Sequence, residues 1–71
     1  MVNTNALKAA IANKGFRQSD VAEKIGISPQ SLNYKLLNKV EFKVDEANRL
    51  CALLDIPAEK AGEIFFAQKV D

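Results

Sequence analysis

The chain has no histidine, no tryptophan and one cysteine among its 71 residues. One cysteine rules out an internal disulfide, and without histidine a zinc finger lacks its ligands. There is no Gly-rich phosphate loop and no pair of carboxylates set in an apolar pocket, so general acid–base and phosphoryl chemistry have no visible machinery. Ser19, Asp20 and Ser28 have no base within the same motif; their ordinary roles are first-turn polar residues and a helix cap. The expectation is a protein that is not an enzyme and holds no cofactor or metal. No apolar run approaches the roughly 18 residues of a membrane span, and the N-terminus lacks the charged-then-apolar pattern of a signal peptide. A soluble, cytoplasmic chain without a membrane partner is expected. Nor is there an excess of either charge: 10 basic and 9 acidic residues leave a net +1, a weak footprint for a nucleic-acid partner. No repeat, linker or low-complexity stretch divides residues 1–71, so one domain is expected. A domain this small buries only about 60% of its chain surface, and its core must come from helix packing, alone or with a second subunit.

What is present is concentrated between Gln18 and Leu36. Val21 and Ile25 lie one helical turn apart, and Leu32 and Leu36 repeat that spacing on a second short helix. Ala22 is small where two steeply crossed helices need close approach. Gly26 follows Ile25 where the first helix must stop, and it takes a left-handed conformation without a Cβ penalty. Ser28 offers a capping oxygen, and the Pro29 ring suits a first helical position. The outer side of the second helix then carries Gln30, Ser31, Asn33, Tyr34 and Lys35, polar and free of acid. This pattern predicts a helix-turn-helix unit over about residues 18–37 with a recognition-type second helix.

Gln18, Ala22, Gly26, Ile27, Ser28, Gln30, Ser31 and Leu32 resemble the helix-turn-helix of the phage repressor and Cro family. The flanks extend the resemblance over nearly the whole chain: an apolar helix precedes the motif, LCALLDIP follows it, and the ending EIFFA resembles short prophage regulators of Gram-positive bacteria. The resemblance implies an all-α, lambda repressor-like fold of five short helices and a role as a small transcription regulator. Two positions depart from the family pattern. Lys35 stands where most members have an apolar residue, and Arg17 where many have a Thr or Ser cap.

In chain order, Met1 to Thr4 is expected to fray, with Asn3 or Thr4 as a cap. A first helix near Asn5 to Lys14 presents Leu7, Ala10 and Ile11 on one stripe and ends at Gly15. Phe16 is too large and apolar for a free loop and reads as core. Beyond Leu36, Asn38 and Lys39 suit a turn, and Phe42 pins the loop inward. Val44, Ala47, Leu50, Cys51 and Leu54 form the inner stripe of a fourth helix, with Asp45 and Glu46 at its favourable N-terminal end. Cys51, within that stripe and without a histidine to activate it, reads as a small buried hydrophobe. Pro57 separates a fifth helix that turns Ala61, Ile64 and Phe65 inward. No segment reads as a committed strand, although Gln68 to Asp71 can extend.

The charges are unevenly placed. Lys35 to Lys43 holds three lysines and one glutamate, whereas Asp45 to Asp71 holds six acids against three bases. Lysines in a loop ordinarily just solvate it, but beside a helix-turn-helix they read as a DNA-facing edge. For base contacts the candidates are Gln30, whose amide pairs both groups of an adenine edge, then Asn33 three residues on, and Ser31. For the DNA backbone they are Ser28, Tyr34, Lys35, Lys39 and Lys43. Lys35 is expected to cover apolar surface with its stem while its charge reaches out. Gln18 is similar to the family glutamine that meets a phosphate at a helix start. Asn38 remains either a turn residue or a contact. Phe66 lies about 100° round the fifth helix from Phe65, so it is expected at a homodimer contact, with Phe65 and Val70 beside it. Two readings stand. In one the protein binds a double-stranded operator as a dimer; in the other it is a phage-encoded modulator that binds a repressor protein.

Overall fold

Asn3 begins the helical part of the chain: its side-chain oxygen accepts the Ala6 N–H at 3.1 Å and caps the first helix. In a computed structural model, which describes residues 1–66, five helices follow in order. They are α1 (Thr4–Asn13), α2 (Gln18–Ile25), α3 (Pro29–Leu36), α4 (Val44–Leu54) and α5 (Ala58–Phe65). There is no strand among the described residues, and the expected all-α architecture of five short helices is the one observed. The suggested extension at Gln68 to Asp71, like Val70, lies outside the described residues.

One core serves all five helices. Leu7 and Ile11 enter it from α1, Val21 and Ile25 from α2, Leu32 and Leu36 from α3, Leu50 and Leu54 from α4, and Phe65 from α5. Full burial of each such side chain contributes roughly 1.5–3 kcal/mol, so the inward stripes carry the fold. Ala22 is fully buried, as its place at the α2 crossing demands. Phe16 is half-buried against the same core, with the Lys24 ammonium 5.7 Å from its ring centre. Phe42 does pin its loop inward, meeting Phe65 edge to face with ring centres 5.6 Å apart.

Two expectations fail. The first four residues are not frayed. Val2 is 7% exposed, its N–H donates to Asn38 Oδ1 at 2.8 Å, and Asn38 Nδ2 donates back to the Val2 carbonyl at 3.2 Å. Thr4 Oγ1 donates to the Leu36 carbonyl at 2.5 Å, and Asn3 N–H to the Ile64 carbonyl at 2.7 Å. Asn38 makes the strap possible because it is left-handed, at φ 62°, a conformation asparagine tolerates better than most residues. Its alternatives thus resolve in favour of a structural turn. The second failure is Val44, which is 72% exposed. As the first residue of α4 it lies beyond the reach of the core, and the charged Glu46 is buried instead.

Candidate nucleic-acid interface

The α2–α3 corner is held by local chemistry legible in the chain. Gly26 is left-handed at φ 82°, and the Ile27 N–H returns to the Ala22 carbonyl at 3.0 Å, closing α2. Ser28 Oγ accepts the Ser31 N–H at 3.1 Å and caps α3, with Pro29 in its first turn. At the head of α2, Arg17 supplies no side-chain cap; the Asp20 carboxylate accepts the Arg17 N–H at 3.1 Å in its place. Arg49 reaches from α4 to donate through Nη1 to the Ile25 carbonyl at 3.1 Å, with Asp45 at 3.7 Å from its other terminal nitrogen. Sequence reasoning missed this clamp. Its one signal was a lone base in an otherwise acidic stretch.

The outer side of α3 forms a connected polar row. Gln30 Nε2 donates to the Tyr34 hydroxyl at 3.0 Å, and the Lys39 ammonium lies 5.8 Å from the Tyr34 ring centre. Gln18 Nε2, at the start of α2, lies 3.5 Å from Asn33 Oδ1, at the limit of a hydrogen bond. The structure therefore brings Gln18, Gln30, Asn33, Tyr34 and Lys39 onto one surface. Gln30, Asn33, Tyr34 and Lys39 are exposed, Gln18 and Ser31 half-buried. Ser28 is exposed, although its oxygen already accepts the cap bond. Lys43 is also exposed, at the head of α4.

Lys35 does not belong with them. It is 6% exposed, and its ammonium lies 2.5 Å from Glu46 Oε1 and 5.9 Å from the centre of the Phe42 ring. Its charge points into the protein, against the expectation that it reaches phosphates. A buried ammonium is strongly disfavoured unless paired, and Glu46 is the partner that permits lysine at a position facing the core. The same Glu46 oxygen accepts the Lys43 N–H at 2.9 Å. Desolvation by burial pushes the Glu46 carboxyl up, but the Lys35 hydrogen bond, the Lys43 N–H and the charges of both lysines together hold it below its ordinary value.

Three further residues differ in burial. Phe65 is 4% exposed and packed on Phe42, so it belongs to the core of one chain and is not free for a dimer contact. Phe66 is 67% exposed. Cys51 is half-buried, and desolvation pushes its thiol up, which agrees with a small hydrophobe rather than a reactive group.

These features define an all-α helix-turn-helix domain with a polar, acid-free outer face on its second motif helix. Residues 3–68 match the family described as a protein of unknown function, DUF739, and the chain belongs to that family. No curated protein matches the sequence. Among the described residues no helix is long and apolar enough to cross a membrane.

Proposed function

We propose that this domain is a sequence-specific DNA-binding transcription regulator of the phage or prophage repressor and Cro type. On this reading α3 enters the major groove and two copies bind an operator. The observation that carries it is the exposed row of Gln30, Asn33 and Tyr34 on α3, with Lys39 beside it and no acid on that helix. The Tyr34 hydroxyl takes one N–H of Gln30. The other N–H and the carbonyl remain for the N7 and N6 groups of adenine, the bidentate pairing open to glutamine. Asn33 has the same chemistry, and Ser31 offers a hydroxyl nearby. Gln18, Ser28, Tyr34, Lys39 and Lys43 would fix the register on the phosphates. Regulation by occupancy requires no catalysis and no cofactor, and such a protein would work in the cytoplasm. Half-sites about 34 Å apart on one side of the duplex would give two copies the specificity that a single helix lacks.

The test is binding to a duplex selected by the protein from a random pool, compared with an unselected duplex of equal length. Gln30→Ala or Asn33→Ala is expected to cost ~1–3 kcal/mol on the selected duplex and far less on the unselected one. Equal losses on both would make these residues backbone contacts. Lys39→Ala is expected to flatten the log–log salt slope by about 0.9, the contribution of one neutralised phosphate. An unchanged slope would reduce Lys39 to a solvated loop charge.

The exposure of Phe66, together with near-neutral net charge, favours a second reading: a modulator of the same fold that binds a phage repressor protein. Such a module would show little salt-dependent DNA affinity, and capture from its host would recover the repressor.

A further inference from the structure

Leu32 and Leu36 hold α3 down on the core, both of them fully buried. They do not fix its rotation, because apolar contact is non-directional and tolerates a small roll about the helix axis. Lys35 is different. Its ammonium lies 2.5 Å from Glu46 Oε1 with both side chains buried, and no other hydrogen bond joins α3 to α4 among the described residues. A roll that parted them would leave a buried charge without a partner, which is costly. The pair therefore admits one rotation of α3 where packing alone admits a range.

That rotation aims the polar row. At about 100° per residue, Gln30 lies about 140° from Lys35 on one side and Asn33 about 160° on the other, so the two amides bracket the direction opposite the pinned position. A helix with its side chains is about 10–12 Å across, so a roll of about 10° carries an amide on its surface sideways by about 1 Å. A binding constellation has to be held within about 0.5 Å of its productive geometry. The same Glu46 oxygen accepts the Lys43 N–H at 2.9 Å. One buried carboxylate thus ties the base-facing helix to Lys43 at the head of α4, whose exposed side chain is assigned above to a phosphate.

We propose that Glu46 is a positioning residue for base readout. Paired with Lys35 from the far side of α3, it sets the roll of the helix and thereby the discrimination between base sequences, without touching DNA itself. The proposal rests on the DNA-binding reading above and deepens it. A buried ion pair is a poor source of stability, since apolar residues of similar volume do as well. What it adds here is direction.

The experiment measures binding of the full chain to the selected and unselected duplexes by fluorescence anisotropy, with urea unfolding alongside. The ratio of the two affinities is the readout, because a loss of folded fraction lowers both equally and cancels. Lys35→Met/Glu46→Leu removes one charge of each sign, so its affinity for the unselected duplex should stay within about twofold of the parent's. Its urea midpoint should lie near the parent's. Its discrimination should fall by about tenfold, within the roughly 5- to 150-fold that one bidentate amide contact supplies. Glu46→Gln should do the reverse. It keeps an oxygen of the same reach for Lys35 and Lys43 but no charge, so the domain loses stability while the ratio holds within about twofold. A merely structural pair would make discrimination follow stability in both variants. A double variant that discriminates like the parent overturns the proposal and leaves the DNA-binding reading intact. So does a Glu46→Gln variant that loses discrimination together with stability. A parent with equal affinity for both duplexes overturns that reading, and the proposal with it.

Discussion

Glu46→Leu is expected to destabilise the domain by about 3–5 kcal/mol, because it leaves the Lys35 ammonium buried without a partner. A chain of this length has a total stability of only about 4–10 kcal/mol, so one substitution removes much of it. The double variant Lys35→Met/Glu46→Leu should recover to within about 1 kcal/mol of the parent, since a buried pair replaced by apolar groups of similar volume is nearly neutral. The residual loss reflects the Lys43 N–H at the head of α4, which then has no acceptor. Urea unfolding of the parent, single and double variants decides this. A single variant as stable as the parent would mean that Lys35 escapes to solvent after all. The pair also sets the acid limit. The unfolded carboxyl takes up its proton near pH 4.5, and the folded one only at lower pH. The pair's contribution is therefore complete above that range and is lost as the pH falls through the folded value. In the double variant the acid branch of the stability curve should be shallower.

The second large effect is expected at Asn38. Its amide supplies both partners of the Val2 backbone and has no replacement in the fold. Asn38→Gly keeps the left-handed turn but removes the side chain, and should cost about 1–3 kcal/mol because the backbone N–H and carbonyl of the buried Val2 lose their partners. Asn38→Ala should cost about 1 kcal/mol more, because its Cβ opposes the positive φ. Deleting residues 1–3 should cost more than either variant, because it also removes the burial of Val2, the Asn3 cap and the Asn3–Ile64 hydrogen bond. Urea midpoints at constant m-value provide the comparison. A wild-type midpoint for the glycine variant would mean that the strap contributes nothing.

What the chain disclosed about itself follows the range of the interactions involved. Gly26, Ser28 and Pro29 act within three or four residues of themselves, so the corner between α2 and α3 was readable from their identities alone. The inward stripes were readable for the same reason, since helical periodicity is local. The outward displacement of Phe66 also follows from the angle per residue. Lys35 was misplaced because a lysine facing the core is sensible only when an acid arrives from another helix, and nothing on α3 announces Glu46. Met1 to Thr4 was misplaced for the same reason, since its partner Asn38 is 36 residues away in the chain. Val44 shows the opposite limit: it fits the stripe by spacing, but the first residue of a helix starts before the core begins. For the polar row, the residue types were legible on α3. The contact between Gln18 and Asn33, made where the head of α2 meets the middle of α3, was not.

The hydrogen bond from Asn3 to Ile64 has a bearing on the order in which the protein assembles. It joins the two extremes of the described chain, so forming it closes the longest loop available, and loop-closure entropy makes such a contact late. The α2–α3 hairpin needs no such closure and can form early, on the timescale of local helix pairing. Opening should run in reverse, with the joined ends separating first while the hairpin persists. The ends thus behave as a clasp: fastened last, released first, and holding α3 at its Leu36 end through Thr4 for as long as it stays shut.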